Sequence, residues 1–350
     1  MSFQPAFCPR AECPSRGGSP FTYNQRGSFK RRCDQKTVPR FKCLACSRGF
    51  SEQTFRGNYR LKRPELLKPL YNDRISKVTH RQSARIHACS RGTEERHFRR
   101  ISLLCETFHG VRFSEVVARG GLGDVFSLDE LETYEHHRTQ KPVTVPILIE
   151  PESGFVIDAR VGTLPARGKS GDREKRRLAR QLEQKSESPV QPEGAVQAED
   201  ESERKSESRK VVKEAFERLR EFSPKDRPLR VLTDYKSSYS SLLEELFGER
   251  CRHERTSSKQ RRDTSNPLWP INHTLARVRD NVSRLVRETW AAAKKRRWLA
   301  GHLAIWVCYR NYVRGRTNRE PETTPAMVLG VQKEPWTVEK LLEWRVFPGM

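Results

Sequence analysis

No apolar run in this 350-residue chain approaches the length needed to span a bilayer. The N-terminus has no apolar core of the kind a secretory signal carries. Those two absences turn the reading away from membrane and export classes. The nine cysteines follow no even disulfide pattern, and five of them fall in the first 46 residues. That usage suits a reducing compartment and a metal site better than a disulfide framework. Acids are scarce in two blocks. Residues 1–63 hold 14 Lys+Arg against 3 Asp+Glu, and residues 250–319 hold 18 against 4. The net charges are +11 and +14 in a chain of +24 overall, so the remainder is close to neutral. Basicity confined to two modules points to a polyanion, and nucleic acid is the expected partner.

Met1–Phe55 contains Cys8-x4-Cys13 and Cys43-x2-Cys46. Paired cysteines separated by strand and turn residues predict a zinc ribbon over 1–55, with Cys8, Cys13, Cys43 and Cys46 as ligands. A module this small would owe its fold to the ion. Cys33 has no partner at ligand spacing and reads as a bystander, or as a replacement for Cys13. Residues 56–73 read as linker and a short helix broken by Pro64 and Pro69. Over 75–104, Thr79 caps a first helix with Ala84, Ile86 and Ala88 turned inward. Arg91-Gly92 makes the turn, and Thr93 caps a second helix carrying Phe98, Ile101 and Leu104. This predicts a helix-turn-helix domain within 56–110 that would show Arg96, Arg99 and Arg100 to DNA. A generic helical hairpin has the same pattern.

From Val125 the periodicity shortens. VFSLDE reads as a strand ending in acids, and 142–150 with 155–161 as a hairpin. Residues 167–210 carry 12 Lys+Arg and 10 Asp+Glu with almost nothing apolar, which predicts a solvated, disordered insert. A helix over 211–222 follows, then a short strand ending at Asp234, then a helix over 237–247 closed by Gly248. The stretch Pro270–Trp290 predicts one long helix. Leu275, Val278, Val282, Leu285 and Val286 form its apolar stripe, and Arg277, Arg279, Arg284 and Arg287 its other face. Asn272 and Arg279 stand two turns apart on nearly the same side, while Asp280 reads as an exposed helix acid. In the aromatic-rich stretch beyond, Trp298, Ile305, Trp306 and Tyr309 read as core. This order is the ribonuclease H-like arrangement, an α/β domain over 122–317 followed by a tail, 318–350. It would let Asp129, Asp234 and Asn272 meet at one point, where divalent cations would relieve the repulsion between carboxylates.

The motifs RFKCLACSRGFSEQTF, SLDELETYEHH, LTDYKSSY and PINHTLARVRDNVSRLVRETW, in that order, resemble a bacterial insertion-sequence transposase of the acidic-triad (DDE) type, and closely the group typified by insertion sequence one. The resemblance covers most of Phe3–Tyr312 apart from the insert. It implies Asp129 and Asp234 as catalytic acids binding Mg²⁺ or Mn²⁺, and Arg279 as a DNA contact. It further implies double-stranded DNA as partner (element ends and target), a homo-oligomer on that DNA, and a place in the bacterial cytoplasm on the nucleoid. The departure is Asn272, where the group generally carries Glu; Asn offers a cation a carbonyl oxygen but no charge. An active Asp-Asp-Asn enzyme and a degenerate, DNA-binding remnant are the two readings this leaves.

Overall fold

The computed structural model describes residues 3–16, 21–32, 35–168, 176, 205–257, 259–286 and 290–344. Cys33, Arg287 and most of the predicted insert lie outside the described residues, and the last three residues of that insert, Ser208 to Lys210, belong to a helix. The chain forms two compact units. One comprises Met1–Asp73, Val78–Arg112 and the chain from Trp336 on; the other comprises Arg74–Lys77 and Phe113–Pro335.

In the first unit, strands β1 (Tyr23–Lys30), β2 (Thr37–Cys43) and β3 (Gly49–Ser51) form an antiparallel sheet in sequence order. Its core is the cysteines themselves with Phe41, Phe50 and Phe55. Helix α1 (Leu67–Ile75) follows. Pro69 does not break it, contrary to the sequence expectation, because it sits in the first turn, where an amide N–H has no helical acceptor to lose. In α2 (His80–Ile86) Thr79 is the cap, its hydroxyl accepting from Gln82 N. Helix α3 (Arg91–Ala118) is longer than predicted and begins at the two residues expected to form the turn. The turn lies at His87–Ser90. Ala88 takes a left-handed φ of 44°, and the Ser90 hydroxyl, not Thr93, caps α3 by accepting from Thr93 N at 3.1 Å. Ala84 and Phe98 are buried, but Ile86 is 60% exposed and does not face inward. The C-terminal segment is not a separate tail, since Trp336 and Trp344 pack on Phe108 with ring centroids 4.8 and 5.1 Å apart.

The second unit is a mixed sheet. Strands β4 (Val125–Tyr134), β5 (Pro142–Glu150), β6 (Phe155–Ala159), β7 (Gly162–Thr163), β8 (Leu229–Thr233) and β9 (Cys251–Arg255) are ordered β6-β5-β4-β8-β9, with β7 also on β5. The first three are antiparallel, while β8 and β9 run parallel to β4. That is the ribonuclease H-like order. Helices α4 (Ser208–Phe222) and α5 (Ser237–Phe247) connect the parallel strands. On one face Phe126 and Phe155 meet Phe222 of α4. On the other, Leu131, Val143, Val145, Ile147 and Leu232 meet Ile271, Leu275 and Val278 of α6 (Trp269–Asn281), with Leu299, Leu303 and Trp306 of α7 (Arg296–Cys308). All nine residues of β5 are buried, as expected of a strand covered on both faces.

Helix α6 ends at Asn281 instead of continuing to Trp290. Tertiary partners take over the groups at its end. Lys77 N donates to Asn281 O at 3.1 Å, Asn281 Nδ2 donates to Ile75 O, and Trp306 Nε1 donates to Asn281 Oδ1. Val282 and Leu285 still reach the core, through a 3-10 turn over Ser283–Leu285. Arg284, expected on the outer face, is 8% exposed. Asp280 pairs with Lys77 at 2.6 Å. The ends of the charged insert are held together: Glu207 N donates to Thr163 O, and Thr163 N to Glu207 Oε2.

Candidate functional site

The four cysteines of the first unit fall into one cluster. Cys8 and Cys13 come from the loop before β1, Cys43 ends β2, and Cys46 lies in the turn to β3. Their sulfurs all lie within 4.8 Å of one another. Cys8 Sγ is 3.6 Å from Cys46 Sγ, and Cys13 Sγ is 3.7 Å from Cys43 Sγ. Zn–S bonds of about 2.3 Å in a tetrahedron require edges of about 3.8 Å, so the set fits a thiolate-bound ion. Burial pushes the Cys8 thiol up to about 12, while the Ser15 hydroxyl bonded to Cys13 brings that thiol down to about 6. Among the described residues, no other set of three or more Cys, His, Asp or Glu side chains is close enough to hold a metal.

Asp129 does not end its strand, as the sequence suggested; it lies in the middle of the ten-residue β4. The end that matters belongs to β8. Ser127 pairs with Leu232 in parallel register, and β8 stops at Thr233. Continuing the register by two residues brings Asp234 beside Asp129, at the roughly 4.8 Å spacing of neighbouring strands. Both share the face of Leu131 and Leu232, on which α6 packs, because side chains alternate along a strand. Glu130, one residue on, shows the opposite contacts. It accepts from Thr144 Oγ1 at 2.6 Å, Ser208 Oγ at 2.8 Å and Tyr239 OH at 2.8 Å, and it bonds Lys236. Lys236 N in turn donates to Asp234 Oδ1 at 3.0 Å. Glu130 therefore braces the loop that carries Asp234.

A cavity of about 490 Å³ lies above these acids. Asp129, Asp234, Asn272 and Arg279 line it together, with Arg262, Trp269 and His273. Burial pushes the Asp129 carboxyl up to about 6, and the Asp234 charge adds to the rise. Two partly buried carboxylates side by side are under electrostatic strain that a cation would remove. Asn272 adds a neutral oxygen donor, so the donor set is hard and suits Mg²⁺ or Mn²⁺ more than a soft ion. Arg262, Trp269 and His273 were not singled out in the sequence. Arg262 shows in the sequence only as part of the basic run KQRRD, and His273 only as a member of the motif that opens at Pro270. In the first unit Arg96 and Arg99 are exposed, whereas Arg100 is half-buried and donates to Tyr59 O at 3.3 Å.

No family model and no curated protein matches this chain. Solved structures similar to it include the catalytic domain of Mos1 mariner transposase, at 14% identity and TM-score 0.25, covering 62% of this chain and 92% of that one. The Mos1 strand transfer complex is similar at 12% identity and TM-score 0.23, covering 71% of this chain and 76% of that one. A pre-cleavage Mos1 transpososome is similar at 13% identity and TM-score 0.19, covering 70% and 76%. Likeness at this level places no individual residue.

Proposed function

We propose that the protein is a DNA transposase of the Asp-Asp-Asn kind, which cuts at the ends of an insertion sequence and joins them to target DNA. The observation that carries this reading is the register that sets Asp129 beside Asp234, with Asn272 and Arg279 of α6 lining the same cavity. Asp129, Asp234 and Asn272 would hold the catalytic cation. When bound, a divalent ion lowers the pKa of a water or 3′-hydroxyl and stabilises the leaving oxygen of the scissile phosphate. Arg262 and Arg279 would meet phosphate charge at the cavity, and Arg279 stands two turns, about 10 Å, along α6 from Asn272. Glu130 and Lys236 act as positioning residues for the Asp234 loop.

In the first unit, one Zn²⁺ on Cys8, Cys13, Cys43 and Cys46 would hold the ribbon. The α2–α3 hairpin, with Arg96 and Arg99 exposed, would bind the terminal repeats as a helix-turn-helix. The resemblance found in the sequence further favours a homo-oligomer on DNA in the bacterial cytoplasm. The amide at Asn272, in place of a third acid, favours one other reading, a repressor or domesticated transposase that binds DNA without cutting it. A strand-transfer assay with Mg²⁺ or Mn²⁺ on the flanking terminal repeats decides between them. Transfer that is lost in Asp129→Ala supports the enzyme; no transfer in the wild type under either metal, but transfer in Asn272→Glu, establishes the degenerate reading.

A further inference from the structure

A second concentration of arginine lies beside the cavity, and the proposed chemistry makes no use of it. Arg277 is one turn along α6 from His273, a cavity residue. Arg310 belongs to the wide turn Tyr309–Val313 that continues α7, and Arg314 follows that turn directly. Arg310 is 5% exposed, and its Nε has no hydrogen-bond partner. Its Nη1 donates to Gly315 O at 3.3 Å, while Arg277 Nη1 donates to Arg316 O at 2.8 Å. The two guanidiniums therefore hold successive carbonyls of one short segment and keep most of their donors unused. Arg310 also lies against Gly154, where an added Cβ would come within 2.9 Å of Nη2.

A guanidinium taken out of water needs acceptors or an anion. The nearby Arg316 has one, a two-pronged pairing with Glu320 at 2.7 and 3.0 Å. Among the described residues no carboxylate pairs with Arg277, Arg310 or Arg314. The consequence shows in Arg310, which burial and then the charges of Arg277, Arg314 and Arg316 hold down to about 9. Arg277 is half-buried and Arg314 exposed, so the cluster opens to solvent.

We infer that Arg277, Arg310 and Arg314 form an anion site that takes one backbone phosphate of the DNA strand running out of the Asp129–Asp234–Asn272 cavity. The inference rests on the DNA-processing reading of that cavity. Four residues of helix rise about 6 Å, so Arg277 sits roughly a nucleotide step beyond His273. Guanidiniums suit this ligand because a phosphate can accept paired N–H bonds from more than one of them.

The test uses the full chain with a fluorescent duplex and measures affinity across a salt series. Arg277→Gln and Arg314→Gln, both at solvent-reached positions, are each expected to weaken binding several-fold. Each should also lower the slope of log affinity against log salt, and the two substitutions combined by no more than about 0.9, the value for one phosphate no longer neutralised. In a second arm, inorganic phosphate should raise the melting temperature of the wild type above that in chloride at equal ionic strength. That gain should shrink in Arg310→Met. An unchanged salt slope in both surface variants overturns the inference, even if inorganic phosphate still stabilises the protein, because the site would then serve a free anion only. Strand transfer by the wild type, measured alongside, separates the two ideas. Slope losses without any transfer leave the phosphate site standing while the catalytic reading falls.

Discussion

The cysteine cluster draws its four ligands from two knuckles within residues 8–46, and the acidic cavity draws its donors from two strands and a helix spread over 129–272. The first is complete in itself: four soft donors within 4.8 Å of one another. The second has one hard acid within β4, another just past the end of β8, and a neutral amide lining the same cavity. A ligand set read from local spacing would give a structural site whose ion holds the module together. A set assembled by strand register would give an exchangeable site, in which the sheet supplies the geometry and a cation would be only lightly held.

The largest expected effect tests the first half of that contrast. Removing zinc, with a chelator or in a Cys43→Ser, Cys46→Ser double variant, should unfold the ribbon, since such sites supply about 10–16 kcal/mol of folding energy. Metal analysis should find one zinc per chain in the wild type and close to none in the variant; equal zinc in both would break the comparison. For the cavity, Asp129→Ala and Asp234→Ala should abolish strand transfer yet leave the protein folded and bound to DNA, as read by gel shift. Transfer surviving in Asp129→Ala would remove the residue from the site.

A smaller effect concerns protons. The folded pKa of Asp129, about 6, lies above its unfolded value of roughly 4. The folded state then holds the proton more tightly, so metal-free stability falls as pH rises from about 4 to about 6, by at most about 3 kcal/mol. Asp129→Asn should flatten that fall in a pH series of denaturant melts. The same proton competes with the cation, so wild-type transfer should decline as pH drops through about 6. Smaller again, Asn272→Glu should lower the Mg²⁺ concentration for half-maximal transfer by adding one charge; an unchanged midpoint would place residue 272 away from the ion. Arg279→Ala should have the least effect, weakening DNA binding and reducing its salt slope by about the share of a single phosphate.

Much of this architecture was legible in the sequence, and the misses share a cause. Strands β5 and β8 and helices α4 and α5 carry apolar patterns set by their own burial, and they lie where periodicity put them. Strand β9 carries no sequence signal because CRHER has no apolar alternation; as the edge of the sheet it pairs with β8 through its backbone, and none of its side chains is fully buried. Helix α6 was read too long because Val282 and Leu285 keep a helical spacing even where Asn281 ends the helix by bonding to Lys77 and Ile75. No local pattern carries that partner. The acids were found as residue types at strand-like positions. What brings Asp129 to Asp234 is a parallel register more than a hundred residues apart, which one sequence does not display.

The bonds between Thr163 and Glu207 give the second unit a practical property. They close the chain on itself at the point where the charged insert leaves and returns, and the sheet and α4 contribute the residues on either side. Because these two residues are bonded directly to each other, the placement of β7 and α4 does not depend on the number of residues between them. Shortening the chain between these two residues is therefore expected to leave Asp129 and Asp234 in place, which strand transfer by a deletion variant would check. For the same reason that stretch is the natural port at which to graft a tag or a guest domain.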